Sequence, residues 1–71
     1  MSENWYEVWA NEGHRVPYLL LVRPFKDGFE VLDPVSANRQ AYWSKDYEDV
    51  KMWLLEDEFV RVGRNDLDEY L

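Results

Sequence analysis

The 71-residue chain carries 15 Asp and Glu residues against 8 Lys and Arg residues, which leaves a net charge of −7 at pH 7. A chain of this length forms one small domain, and residues 1–71 are treated as that domain. The negative charge opposes approach to phosphate backbones and anionic bilayers, so neither nucleic acid nor membrane is an expected partner. With no cysteine and a single histidine, the chain is expected to use no disulfide, metal or other cofactor.

The N-terminal residues Met1–Asn4 are polar and lack the basic and apolar segments of a secretory signal. The longest apolar run is far shorter than the roughly 20 residues that cross a bilayer. Both observations favour a cytoplasmic protein. Its core is expected to depend on aromatic side chains, because four Trp, five Tyr and three Phe residues are present.

A first strand is predicted at Trp5–Ala10, where two sets of side chains alternate along the sequence. One face would carry Tyr6, Val8 and Ala10, and the other would carry Trp5, Glu7 and Trp9. The polar segment Asn11–Arg15 contains Gly13, a residue that can adopt positive φ. It predicts a hairpin turn into the second strand.

The segment Val16–Pro24 is the only near-continuous apolar run, and a proline lies near each of its ends. Its length suits a strand covered on both faces, whereas a helix usually needs about ten residues with a 3.6-residue period. We therefore predict that this run is the central strand of a sheet.

The clearest turn signal in the chain is Lys26-Asp27-Gly28. A two-residue loop at Asp27-Gly28 would place Lys26 opposite Phe29. A three-residue loop would place Phe25 opposite Phe29, and this register is favoured because it creates an aromatic cross-strand pair.

The third strand is predicted at Phe29–Leu32, because Asp33-Pro34 ends it: proline cannot donate to a strand ladder. A second tight connection, Val35–Asn38, leads into a short fourth strand at Arg39–Trp43. This strand is expected at an edge of the sheet.

A helix is predicted over about Lys45–Glu56, with Ser44 as its N-cap and acidic residues in its first turn, where the helix dipole favours them. Met52 and Leu55 lie outside its apolar stripe. At 100° per residue the stripe that would pack on the sheet spans roughly 120°, and it consists of Tyr47, Val50, Trp53 and Leu54.

The last strand is predicted at Glu58–Val62 and ends at Gly63. It could lie antiparallel beside the first strand or beside the fourth as a right-handed crossover, and the first arrangement is favoured. Residues 64–71 are expected to form an acidic tail that is either mobile or a short helical turn.

These elements predict a two-layer α+β fold of the order β-β-β-β-α-β. A mainly antiparallel sheet of four to five strands would carry one helix on one of its faces. The second face would then have no covering element in the predicted fold.

The sequence offers little for catalysis. Nucleophilic catalysis needs a Ser, Thr or Cys beside a base, and the candidates are His14 with three serines, of which Ser44 is better explained as a helix cap. Carboxylates are plentiful, but a domain this small has little room for a catalytic cleft. We therefore expect no enzyme activity, and a small enzyme using carboxylate acid and base chemistry is the third and least favoured interpretation.

The favoured function is a non-catalytic protein-interaction module or accessory subunit that uses an apolar and aromatic sheet face. The alternative is an acidic inhibitor or antitoxin-like protein that covers a basic surface of its target. The expected partner is a protein, with a two-fold homodimer as one form, unless Leu67, Tyr70 and Leu71 fold back over the face. The candidate interaction surface consists of Trp5, Trp9, Leu19, Leu21, Glu56, Asp57 and Glu58.

Overall fold

A computed structural model describes residues 4–13 and 15–66, which contain five strands, a single α-helix and one turn of 3₁₀ helix. The elements are β1 (Trp5–Asn11), β2 (Tyr18–Phe25), β3 (Gly28–Asp33), the 3₁₀ turn (Pro34–Ser36), β4 (Arg39–Ser44), α1 (Tyr47–Glu56) and β5 (Val60–Asp66). All neighbouring strands are antiparallel, in the order β4-β3-β2-β1-β5. The predicted two-layer α+β fold is therefore confirmed.

Strand β2 is the middle strand of the sheet, as the apolar run predicts. It starts at Tyr18, because Val16 and Pro17 belong to the preceding connection. Alternate β2 residues point to the helix, where they are buried with side chains from β1, β3, α1 and the residue that precedes β5. This buried cluster is Trp9, Leu20, Val22, Val31, Val50, Leu54 and Phe59.

The turn between β2 and β3 differs from both predicted registers. Phe25 pairs with Gly28 and Pro24 pairs with Phe29, so the loop consists of Lys26 and Asp27 alone. Both loop residues have positive φ, 50° and 58°, as a type I′ hairpin turn requires. The predicted pair of Phe25 and Phe29 is therefore wrong.

Gly28 has a packing role instead of a turn role. A Cβ atom at this position would lie 2.5 Å from the Ser44 carbonyl oxygen and 2.6 Å from the Trp43 indole ring. No side chain can occupy that space, so glycine is required where β4 crosses close to β3. Gly13 does not use positive φ either; its backbone N–H donates a 2.9 Å hydrogen bond to Asn11 Oδ1.

Helix α1 begins at Tyr47, two residues later than predicted, because Asp46 is its N-cap. The Asp46 side chain accepts a 3.0 Å hydrogen bond from the Glu48 backbone N–H. Ser44, the predicted cap, accepts instead from the backbone N–H of Asp46 at 3.2 Å. The expected acidic first turn is present, with Glu48 and Asp49.

The predicted apolar stripe of α1 faces the sheet. Val50 and Leu54 have no exposed surface, and Trp53 packs against the same core. Met52 and Leu55 lie outside the stripe, as predicted, and are 56% and 44% exposed. The local helical period was therefore sufficient to identify the buried side of this helix.

Strand β5 lies antiparallel beside β1, which confirms the favoured placement of the last strand. It does not end at Gly63, because pairing with β1 continues to Asp66. Phe59 precedes the strand and enters the core. The rest of the predicted tail, residues 67–71, lies outside the described residues, and so does the proposed cover by Leu67, Tyr70 and Leu71.

Candidate interaction surface

The helix covers the sheet face that carries Leu20 and Val22, so the opposite face is called the open face here. Cross-strand partners share a face, which arranges the open-face residues in rows across the sheet. One row reads Gly63, Val8, Leu21 and Leu32, and the next reads Val60, Ala10 and Leu19. These seven residues are named the open-face patch.

The open-face patch contains no charged side chain, although 32% of all residues in the chain are charged. Leu19 and Val60 project from it and remain 43% and 46% exposed. Val8 and Leu21 are half-buried, and Ala10 and Leu32 are buried. An apolar centre with few charges is the composition expected at the middle of a protein interface.

A polar rim borders the patch on the side of β3 and β4. Glu30 is 97% buried, and its two carboxylate oxygens accept hydrogen bonds from Arg23 at 2.6 Å and Gln40 at 2.8 Å. The Trp43 indole N–H donates to the Phe25 carbonyl oxygen at 2.8 Å. These bonds hold the rim side chains in place beside the apolar rows, the arrangement that protein interfaces show.

Two grooves flank the β2–β3 turn. One, of about 390 Å³, is lined by Phe25, Lys26, Gln40 and Trp43 and continues the polar rim of the open face. The other, of about 380 Å³, is lined by Trp5, Pro24, Phe25, Lys26, Asp27, Gly28 and Phe29. The Lys26 ammonium lies 5.4 Å from the centre of the Phe25 ring that the two grooves share.

Only part of the predicted interaction surface lies on the open face. Leu19 and Leu21 do, whereas β1 presents Trp5 and Trp9 to the helix, so the tryptophans do not share a face with the two leucines as expected. Trp9 is 97% buried, and its register partner is the core residue Leu20. The other alternating set of β1 faces outward and contributes Val8 and Ala10 to the patch.

The three predicted acidic residues lie apart from the open face, at the C-terminal end of α1. Glu56, Asp57 and Glu58 are exposed, and none of them forms an ion pair with another described residue. Asn11 connects this corner to β1 by donating a 2.8 Å hydrogen bond to the Asp57 carbonyl oxygen. The structure therefore separates the predicted surface into an apolar part and an acidic part.

Beneath the helix, Glu7 forms a polar cluster that the sequence analysis did not identify. Its carboxylate has no exposed surface and accepts hydrogen bonds from Trp9 Nε1 at 3.0 Å and from the Tyr47 hydroxyl at 2.9 Å. Burial, followed by the hydrogen bond to Glu7, raises the pKa of Tyr47. Glu7 is enclosed, and its observable role is to join α1 to β1.

A β-bulge in β5 completes this cluster. Arg61 and Arg64 lie three residues apart and would face opposite sides of a regular strand. The register shift between Val8 and Trp9 inserts one extra residue in β5, so both guanidinium groups face Glu7, at 3.4 and 3.7 Å. Arg64 also lies 4.3 Å from the Trp5 ring centre. The buried charge is therefore paired.

Sequence reasoning also missed Val60 and Gly63 on the open face. The only signal for Gly63 is a glycine within a run of strand-forming residues, a pattern that also predicts the end of a strand. Within residues 4–13 and 15–66, no group of three or more acidic or histidine side chains is placed to hold a metal ion. No helix in this part of the chain is long and apolar enough to cross a bilayer.

No protein-family model, curated protein or solved structure matches this chain.

Proposed function

We propose that the chain is a non-catalytic protein-interaction module that binds through the open-face patch. The observation that carries this proposal is the row arrangement of seven uncharged residues, from which Leu19 and Val60 project into solvent. Burying exposed apolar side chains is favourable by about 25 cal/mol per Å². In a chain that is otherwise rich in charge, this face offers a protein partner a continuous apolar surface.

The test is site-specific photocrosslinking in cells that express the chain. A photoreactive phenylalanine analogue replaces Leu19 in one variant and Met52 in another, because Met52 is similarly exposed but lies on the outer side of the helix. We expect protein adducts from the Leu19 variant and a much lower yield of adducts from the Met52 variant. Equal yields from both positions, or no adduct at Leu19, would overturn the proposal.

The acidic alternative rests on a separate observation, namely that Glu56, Asp57 and Glu58 are exposed and unpaired among the described residues. Such a cluster would favour a basic surface on a target. Salt distinguishes the two modes, because the Debye length falls from about 10 Å at 0.1 M to about 3 Å at 1 M. Association through the open-face patch should persist in 0.5 M salt, whereas association through the acids should weaken strongly.

A further inference from the structure

Gly63 lies in the middle of β5, where neither a positive φ nor a close contact with the described residues requires glycine. Its φ is outside the positive range that favours glycine. A Cβ atom added there would meet no heavy atom of residues 4–13 and 15–66 within 4 Å. The neighbouring bulge does not explain it, because the type of bulge that needs glycine places that residue at positive φ. Gly28, by contrast, is required by its contacts with β4.

The missing side chain leaves a notch in the open-face patch. Gly63 pairs with Val8, whose side chain points to the open face. In the adjacent row, Leu19 and Val60 project from the same surface. Glycine within a strand often marks a bulge, such as the one beside Gly63, or a place where a ligand or another backbone approaches closely. The patch therefore carries both a depression and apolar projections.

A surface that has both features can be complementary to itself. In a two-fold contact, the same patch is used on both subunits, so a projection on each can enter the notch of the other. The whole five-stranded sheet, with six to eight residues per strand, spans roughly 24 Å by 23 Å. A contact that used the whole face would cover roughly 550 Å² per partner, which is below the standard of about 800 Å² and in the size range of weak, concentration-dependent association.

The charge distribution favours the same arrangement. Two copies with a net charge of −7 each repel one another in most orientations. The open-face patch itself carries no charged side chain, and the charged residues beside it on the same face, Arg23 and Glu30, form an ion pair with each other at 2.6 Å. Arg61 and Arg64, which lie on the same edge strand, point to the opposite face and pair with Glu7.

We propose that the open-face patch binds a second copy of this chain in a two-fold contact, and that the Gly63 notch receives an apolar side chain of the other copy. This inference rests on the proposed function and names its partner. It also assigns Gly63 a role in association that is separate from folding.

The experiment is sedimentation equilibrium from about 5 µM to about 1 mM protein, in 0.5 M salt to screen the net charge. The mass of the wild-type chain should rise with concentration from 8.6 kDa towards twice that value. Gly63→Val should weaken dimerisation by roughly tenfold or more, because the valine side chain would fill the notch and clash with the other copy. In a two-fold contact this clash occurs twice. Its melting temperature, measured at a dilution where both proteins are monomeric, should equal or exceed that of the wild type, because valine favours strands.

Ala41→Val is the matched control, since Ala41 is an exposed residue on the opposite edge strand and lies outside the patch. Its dimerisation should match the wild type. Equal dimerisation of the Gly63→Val variant would overturn the role of the notch, and unfolding of that variant would overturn the claim that the fold does not need glycine there.

A wild-type chain that stays monomeric to about 1 mM would overturn the second copy as partner. In that case, Leu19-specific adducts with a different protein would leave the proposed function standing. Absence of any such adduct would remove both proposals.

Discussion

The Tyr47 hydroxyl lies 2.9 Å from both carboxylate oxygens of Glu7, so the helix is bonded to the first strand through a charge that has no exposed surface. A buried carboxylate is tolerated only where donors replace the water it has lost. Tyr47 supplies one of these donors from the helix layer. Arg61 and Arg64 supply positive charge from the edge strand.

Replacing Tyr47 by Phe removes the helix donor and keeps the ring. We expect Tyr47→Phe to lower the free energy of unfolding by about 1–3 kcal/mol, because a buried charged acceptor loses a partner. Urea titration measures this loss. Tyr42→Phe is the control, since the Tyr42 hydroxyl donates at 2.6 Å to Asp49, which is exposed and stays solvated. If both variants lose the same free energy of unfolding, the burial of Glu7 is not the cause of the loss.

Substitutions in the β2–β3 turn are expected to increase the stability of the fold. Lys26 and Asp27 have φ of 50° and 58°, a region in which residues with a Cβ atom are strained. Type I′ turns prefer Asn-Gly. The double variant Lys26→Asn, Asp27→Gly should therefore raise the free energy of unfolding by about 1 kcal/mol. Asp27→Ala serves as the control and should give no gain, because it retains the strained Cβ atom.

The C-terminal end of α1 gives a second site for stabilisation. Glu58 has a φ of 65°, and the backbone N–H groups of Glu58 and Phe59 donate to the carbonyl oxygens of Leu55 and Leu54, both at 3.0 Å. This is a Schellman motif, which favours glycine at the Glu58 position.

Glu58→Gly should raise the melting temperature by roughly 4–8 °C, the shift expected for about 1 kcal/mol in a domain of this size. Glu58→Ala removes the same charge but keeps a Cβ atom, so it isolates the conformational contribution. If the alanine and glycine variants melt together, the gain comes from removing a negative charge near the helix C-terminus and the conformational argument is wrong.

The pKa of Asp33 provides a test of its hydrogen bond with Tyr18. The Tyr18 hydroxyl donates to Asp33 at 2.6 Å, and this hydrogen bond is the main cause that lowers the pKa of Asp33. A carboxyl group with a lowered folded-state pKa stabilises the fold above its ordinary pKa, which is 3.8 for Asp33. That contribution is lost as the pH falls through the lower folded-state pKa.

Tyr18→Phe should therefore raise the pKa of Asp33 towards its ordinary value of 3.8, and NMR titration of the carboxyl carbons would measure the change. The pKa of Asp49 is also lowered, mainly by a hydrogen bond from Tyr42. It should not move in the Tyr18→Phe variant. An unchanged pKa of Asp33 would show that the hydrogen bond is not the cause.

The amino-acid sequence was sufficient for the features that depend on neighbours along the chain. The stripe of Val50 and Leu54 follows from the helical period, and the central strand follows from one apolar run bounded by prolines. The two alternating sets of β1 were also predicted correctly. Helix periodicity and strand alternation are local properties, so they can be recognised before any tertiary contact is known.

Which set of β1 faces the helix was decided only by tertiary structure. Both sets contain aromatic residues, and a shift of one residue in strand pairing exchanges the two faces. The pairing of Trp9 with Leu20 buries the tryptophans and turns Val8 outward. The open-face patch could therefore not be assigned from the sequence, although Leu19 and Leu21 were correctly expected to lie opposite Leu20.

The Glu7 cluster required the complete fold, because Tyr47 and Arg61 are 40 and 54 residues away from Glu7 along the chain. The bulge that turns Arg61 and Arg64 to one face exists only when β5 pairs with β1. The position of Gly63 within a strand also became clear only from the tertiary structure. Its position in the sequence indicates a strand end, whereas the pairing places it inside a strand, with the open space above it that a partner can fill.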